Sequence, residues 1–130
     1  LFTSMTGKEN LKYHAGLTGR IGDKEITHAL ERVGLDPDDN RTYKKYSLGM
    51  KQRLAIAQAI MESPDVIMLD EPTNGLDDSG VKLIRNLIME EKQRGAIVLL
   101  ASHNRDDIRQ LADKLYHIES GELKELEAMI

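Results

Sequence analysis

Val66-Ile67-Met68-Leu69-Asp70-Glu71-Pro72-Thr73-Asn74-Gly75-Leu76-Asp77 is an apolar run that ends abruptly in two carboxylates and then in turn residues. Four apolar residues between breakers are too short for a helix, and the run predicts a strand buried on both faces. Open parallel sheets place their ligands at the carboxyl ends of such strands. Neighbouring strand residues point to opposite sides, so the two acids can divide labour. Asp70 can hold Mg²⁺, largely through water, because this hard cation keeps its waters and takes few carboxylates. Glu71 can polarise an attacking water as a general base. The hexapeptide 66–71 alone suits a strand with a solvated Asp-Glu turn equally well.

Outward from this run, the C-terminal side alternates. A helix is predicted over residues 79–94, with Val81, Ile84, Leu87 and Ile88 on one side and Gly95 as its stop. Ala96-Ile97-Val98-Leu99-Leu100-Ala101 reads as a second buried strand, residues 105–113 as a helix, and residues 115–119 as a third strand turned at Ser120-Gly121. Strand–helix–strand–helix–strand implies an α/β fold with a parallel sheet and right-handed crossovers. The N-terminal side reads as short helices. Thr6-Gly7-Lys8-Glu9 matches a capping box, Asp23 can cap a second helix ended by Gly34, and Ser47 stands near the cap of a third over residues 49–62. The boundary falls near Ser63, giving a helical part over residues 1–63 and a sheet part over 64–130.

The chain has 130 residues, about one domain's length, and a net charge of −4. Residues 1–65 carry +1 and residues 66–130 carry −5. An acidic chain is poorly suited to charge-driven nucleic-acid binding, so no nucleic-acid partner is expected. Cysteine is absent, which excludes disulfides, cysteine zinc sites and thiol catalysis. No apolar run approaches the ~20 residues of a membrane span. The first ten residues carry neither a signal-peptide pattern nor an initiator Met. The expectation is that the chain starts inside a longer protein. His14, His28 and His117 share no metal-ligand spacing and are expected at the surface or satisfied. The scattered methionines need no cofactor explanation, and Glu90-Glu91-Lys92 and Arg105-Asp106-Asp107 are expected to be solvated helix faces.

Three elements flank the Asp-Glu strand end: Tyr46-Ser47-Leu48-Gly49-Met50-Lys51-Gln52-Arg53-Leu54 upstream, Pro72-Thr73-Asn74-Gly75-Leu76-Asp77 at once after it, and Ala101-Ser102-His103 downstream. In this order they resemble the ATP-binding-cassette ATPases, from about Asn10 to Leu123. The family signature LSGGQ reads YSLGM here: Ser47 and Gly49 are kept, while Leu48 and Met50 replace a glycine and a glutamine. EPTNGLD resembles the end of the Walker B strand with its D-loop, and Ser102-His103 the switch histidine.

The resemblance implies a partial P-loop NTPase, RecA-like core preceded by a helical subdomain, with ATP and Mg²⁺ as cofactors. It implies that Ser47 and Gly49, at a helix N-terminus that favours anions, contact the γ-phosphate of ATP held by a second nucleotide-binding domain. Asp77 would communicate across that dimer, and His103 would bind the γ-phosphate or orient the water. Taken singly, Ser47 reads first as an ordinary helix cap, Asp77 as the cap of the next helix, and His103 as a helix-capping or surface residue. No Gly-x-x-x-x-Gly-Lys-[Ser/Thr] occurs in the chain: Gly7-Lys8 is followed by Glu9, and Phe2 stands where the first glycine belongs. The family's Q-loop glutamine and adenine-stacking aromatic are also missing. The chain is therefore expected to be the C-terminal portion of a cassette and to hydrolyse ATP negligibly by itself, with a sheet edge open to association.

The function implied is an ATP-binding, ATP-hydrolysing subunit of a transporter, peripheral at the cytoplasmic face of a membrane and docked on permease subunits. The YSLGMKQRL form resembles subunits of bacterial exporters for antibiotics and peptides. The alternatives are a soluble cassette ATPase acting on ribosomes or DNA, and a non-catalytic cassette-derived module. Gly75, where translation-type members carry His, and the lack of a long coiled coil speak against the first. The presence of Glu71 and His103 speaks against the second.

Overall fold

Helix α1 (Gly7–Thr18) starts where the capping box predicts: the Thr6 hydroxyl accepts from the Glu9 N–H at 3.1 Å and the Glu9 carboxylate accepts from the Thr6 N–H at 2.9 Å. The computed structural model describes residues 1–126, so Met129 and the end of the expected sheet part lie outside the described residues. Helix α2 (Asp23–Arg32) is capped by Gly22 rather than by Asp23, which becomes its first residue. The Gly22 N–H donates to the Glu25 carboxylate at 3.1 Å, a reach that a cap at Asp23 would forfeit. Gly34, at φ 80°, ends this segment as the Leu35 N–H returns to the Leu30 carbonyl at 2.9 Å. A single 3₁₀ turn, Tyr43–Lys45, leads into α3 (Leu48–Ile60), which starts one residue before the expected Gly49.

Strand β1 (Val66–Asp70) pairs in parallel with β2 (Ile97–Ala101), Val66 opposite Ile97 and Asp70 opposite Ala101. Helix α4 (Asp78–Gln93) connects them. Helix α3 packs on β1 and α4 on β2. The buried residues Leu11, Ile26, Leu30, Leu54, Ile60, Ile67, Ile84, Leu87 and Ile88 form one continuous core. Burial of such a side chain contributes about 1.5–3 kcal/mol.

Two expectations need correction here. The strands are not buried on both faces: Ile67 is 2% exposed, but Met68 is 75% and Ile97 61% exposed. Helices cover one face of the two-stranded sheet, so alternate side chains on the other face meet solvent. Residues 115–119 do form a strand, β3 (Leu115–Glu119), yet it does not extend the parallel sheet. It folds back antiparallel onto β4 (Glu122–Leu126) through Ser120-Gly121, both at positive φ (52° and 79°). A two-residue turn with both centres left-handed matches the twist of a hairpin, so it closes locally what was expected to pair distantly.

The acidic runs also differ from the solvated faces expected. Glu91 is 3% exposed and bonds Arg32 of α2 at 3.0 Å and Arg94 at 2.9 Å, tying the helical part to α4. Asp107 is fully buried in α5 (Arg105–Leu111). His28 and His117 are exposed, while His14 is half-buried with its Nε2 unpartnered among the described residues.

Candidate functional site

The end of β1 turns sharply. Glu71 sits at φ 48°, a left-handed conformation that costs a non-glycine residue about 1–3 kcal/mol. Three hydrogen bonds offset it. The Glu71 N–H donates to the Ala101 carbonyl at 2.8 Å, the Gln52 amide donates to the Glu71 carbonyl at 2.8 Å, and the His103 N–H donates to the Glu71 carboxylate at 2.8 Å. Strand β2, helix α3 and the loop after β2 thus all fix one residue. The His103 ring is fully exposed, its Nε2 4.0 Å from the same carboxylate oxygen. Asp70, Glu71 and His103 therefore meet at the carboxyl ends of β1 and β2.

Asp70 faces solvent, and its carboxylate makes no hydrogen bond or ion pair among the described residues. No cluster of three or more His, Cys, Asp or Glu suited to a metal occurs among them. One free carboxylate fits Mg²⁺, which takes one or two carboxylates and fills its shell with water and phosphate oxygens. The same donor is too sparse to bind the ion by itself.

Beyond Glu71, Pro72 and Thr73 are buried, and Gly75 takes φ 79°. A side chain at Gly75 would be strained by that φ and would stand 3.3 Å from the Leu48 methyl. Gly49 is the reciprocal contact: its missing Cβ would lie 3.4 Å from the Gly75 carbonyl. The start of α3 therefore rests directly on the turn that follows Glu71. Ser47 caps α3, accepting from the Met50 N–H at 3.1 Å, and remains exposed. Tyr46 anchors this loop from below: its buried hydroxyl accepts from the Gly7 N–H at 3.0 Å, and a Cβ on Gly7 would overlap that oxygen. Burial pushes the Tyr46 hydroxyl up in pKa.

Asp77 caps α4. It accepts from the Gly80 N–H at 2.8 Å and the Ser79 hydroxyl at 3.2 Å, which hold its carboxyl below the usual aspartate range. Arg53 of α3 reaches Asp77 at 3.8 Å, threading between Gly34 and Gly80, whose missing Cβ atoms leave room for the guanidinium. The sequence-predicted residues fall into two groups: Asp70, Glu71 and His103 at the strand ends, and Ser47, Gly49 and Asp77 along the starts of α3 and α4.

Sequence reasoning missed Gln52, Arg53 and Thr73, and misread Asp107. The Thr73 hydroxyl and the Arg85 Nε, at 2.7 Å, both donate to Asp107. Gln52 and Arg53 sit within residues 46–54 around Ser47 but carry no separate chemical signature. Only their place on the helix face above the turn marks them.

The profile of the ABC transporter family matches residues 1–74. The chain is 41% identical over 93% of its length to the ABC transporter ATP-binding protein YybJ of Bacillus subtilis, covering 56% of that protein. It is 40% identical over 95% of its length to the bacitracin transport ATP-binding protein BcrA of Enterococcus faecalis, covering 41% of it, and 37% identical over 95% to the lantibiotic transport ATP-binding protein SrtF of Streptococcus pyogenes, covering 53%. The chain thus spans about half the length of these relatives. Its fold matches the ATP-binding cassette MJ0796, solved as a dimer bound to ADP and Pi, with a TM-score of 0.84 at 23% identity, over 99% of this chain and 60% of that one. A family profile covering more than half of the chain, joined to the shared cassette fold, places this chain in the ABC transporter family.

Proposed function

We propose that this chain is the signature-and-hydrolysis segment of an ABC transporter's ATP-binding subunit, and that its parent hydrolyses ATP to drive transport. The observation that carries the reading is Glu71: a carboxylate fixed at the end of a parallel strand, its backbone held by Ala101 and Gln52, with the His103 loop bonded to it. Phosphoryl transfer to water needs little covalent help and much positioning. Glu71 takes the role of general base, orienting the water and accepting its proton. His103, with its ring free above the strand ends, contacts the γ-phosphate or orients the water. Asp70 would hold Mg²⁺, and the ion would supply charge neutralisation at the phosphate oxygens.

Ser47, Gly49 and the Leu48 and Gly49 N–H groups at the start of α3, which have no partner among the described residues, offer an anion site. They address the γ-phosphate of ATP held by a second nucleotide-binding domain, with Asp77 beside that contact; the dimeric state of MJ0796 supports this arrangement. The proposed division is a helical part, residues 1–63, that docks on permease subunits, and a catalytic part from residue 64. The location is the cytoplasmic face of the membrane, peripherally bound. Relatives that act in bacitracin and lantibiotic transport support antibiotic or peptide export as the sub-class. With no phosphate-cradling loop in its sequence, the chain alone turns over ATP negligibly.

The test is Glu71→Gln in the full-length subunit. The amide keeps an acceptor for the His103 N–H and loses the base. Turnover should fall about 10²–10⁴-fold with ATP binding retained. Turnover near the wild-type rate would exclude Glu71 as the base.

A further inference from the structure

We propose that Asp107 is a positioning residue, one buried carboxylate that sets the spacing between the Glu71 turn and the His103 loop. It is fully buried, and among the described residues its carboxylate is bonded by Thr73, after Glu71, and by Arg85 of α4, while its backbone N–H is bonded to Asn104, after His103. Thr73, two residues after Glu71, donates its hydroxyl to Asp107 Oδ2. Asn104, the residue after His103, accepts from the Asp107 N–H at 3.0 Å through its side chain. Arg85 of α4 donates its Nε to Asp107 Oδ1 at 2.7 Å and neutralises it.

A buried ion pair adds little net stability compared with an apolar pair of similar volume. Its distinctive property is direction. The Thr73 and Arg85 bonds fix α5 in distance and rotation, and Lys92 fixes the other end of that helix by donating to the Leu111 carbonyl at 2.7 Å. Helix α5 cannot then swing away from α4, and the loop Ser102-His103-Asn104 is held where the His103 N–H meets the Glu71 carboxylate at 2.8 Å. Hydrogen bonds weaken steeply with distance and angle, so small shifts of α5 would cost this contact. The consequence for hydrolysis rests on the reading of Glu71 and His103 given above. The geometric statement does not.

The experiment is amide hydrogen exchange by NMR on the nucleotide-free protein, comparing the His103 N–H with the buried Ile88 N–H of α4. Thr73→Val is close to isosteric and removes only the hydroxyl donor to Asp107. It is expected to lower the protection of His103 about fivefold, the loss of one net hydrogen bond, and to move its proton resonance upfield, with Ile88 unchanged. Thr73→Ser, which keeps a hydroxyl, should restore both. His103 protection that is unchanged in Thr73→Val, or that falls only in step with Ile88, would overturn the proposal. Because no nucleotide is present, neither result bears on whether Glu71 is the base, and a failed Glu71→Gln test would leave this one standing.

Discussion

The two halves of the candidate site are held by different forces. Around Glu71 and His103 the fixing contacts are polar and directional: Gln52 to a carbonyl, His103 N–H to a carboxylate, and Thr73 and Arg85 to the buried Asp107. Around Ser47 and Gly49 the fixing contacts are mainly steric, Leu48 seated over Gly75 and Gly49 against the Gly75 carbonyl, with one buried hydrogen bond from the Gly7 N–H to the Tyr46 hydroxyl beneath them. Leu48 is 70% exposed, so this contact is made at the surface. Polar fixing sets angles, which a proton-transfer geometry needs. Steric fixing sets a distance and leaves the Leu48 and Gly49 N–H groups without a partner among the described residues, as the proposed phosphate contact requires.

The sharpest way to break the contrast is at Asp107. Asp107→Ala leaves Arg85 without its buried partner and should cost about 3–5 kcal/mol in urea unfolding. A cost below about 1 kcal/mol would mean that the polar half is not held as described. Next comes Gly75→Ala, which is strained at φ 79° and meets Leu48. It should cost about 1–3 kcal/mol, and Leu48→Ala in the same protein should recover only the steric share. Full recovery would show that the backbone angle carries no strain.

The smallest effect is at Asp77, where pH reads the cap. Its carboxyl is depressed by the Gly80 N–H and the Ser79 hydroxyl. A depressed acid contributes stability above its unfolded pKa and loses it as the pH falls through the lower native value. Asp77→Asn should therefore lose a little stability at neutral pH, where the ionised cap contributes, and converge with the unaltered protein in acid, flattening the limb that falls below about pH 4. An unaltered acid limb would remove the charge from the account of this cap.

Much of this was legible in the chain because the deciding signals are local. Thr6 and Glu9, Ser47, and Gly34 announce helix ends through neighbours within a few residues. The run 66–77 announces a strand, its charged end and its turn in a single stretch. What was not legible depends on what covers what. Met68 and Leu99 read as core because they are apolar and sit in strands, yet only a partner layer decides whether such a face is buried, and α3 and α4 cover the other one. Strand β4 was hidden because Glu122, Lys124 and Glu125 outweigh Leu123 and Leu126 in composition, while the pairing is imposed by the turn at Ser120-Gly121. Asp107 was misread for the converse reason. Its neighbours Arg105 and Asp106 are exposed, and only the arrival of Thr73 and Arg85 from distant segments makes a buried acid tolerable there.

In the proposed arrangement the polar half and the steric half serve one nucleotide only when they come from different subunits. Complementation tests it most directly. In a two-fold dimer of the full-length protein, Glu71→Gln removes the base from each site, and Ser47→Arg blocks the signature surface of each subunit, so each variant dimer alone should be nearly inactive. In a mixed dimer both lesions fall on one site, and the other site pairs an intact Glu71 with an intact Ser47. ATP turnover should reappear on mixing the two inactive variants. Mixed dimers that form and stay as inactive as their parents would contradict the account.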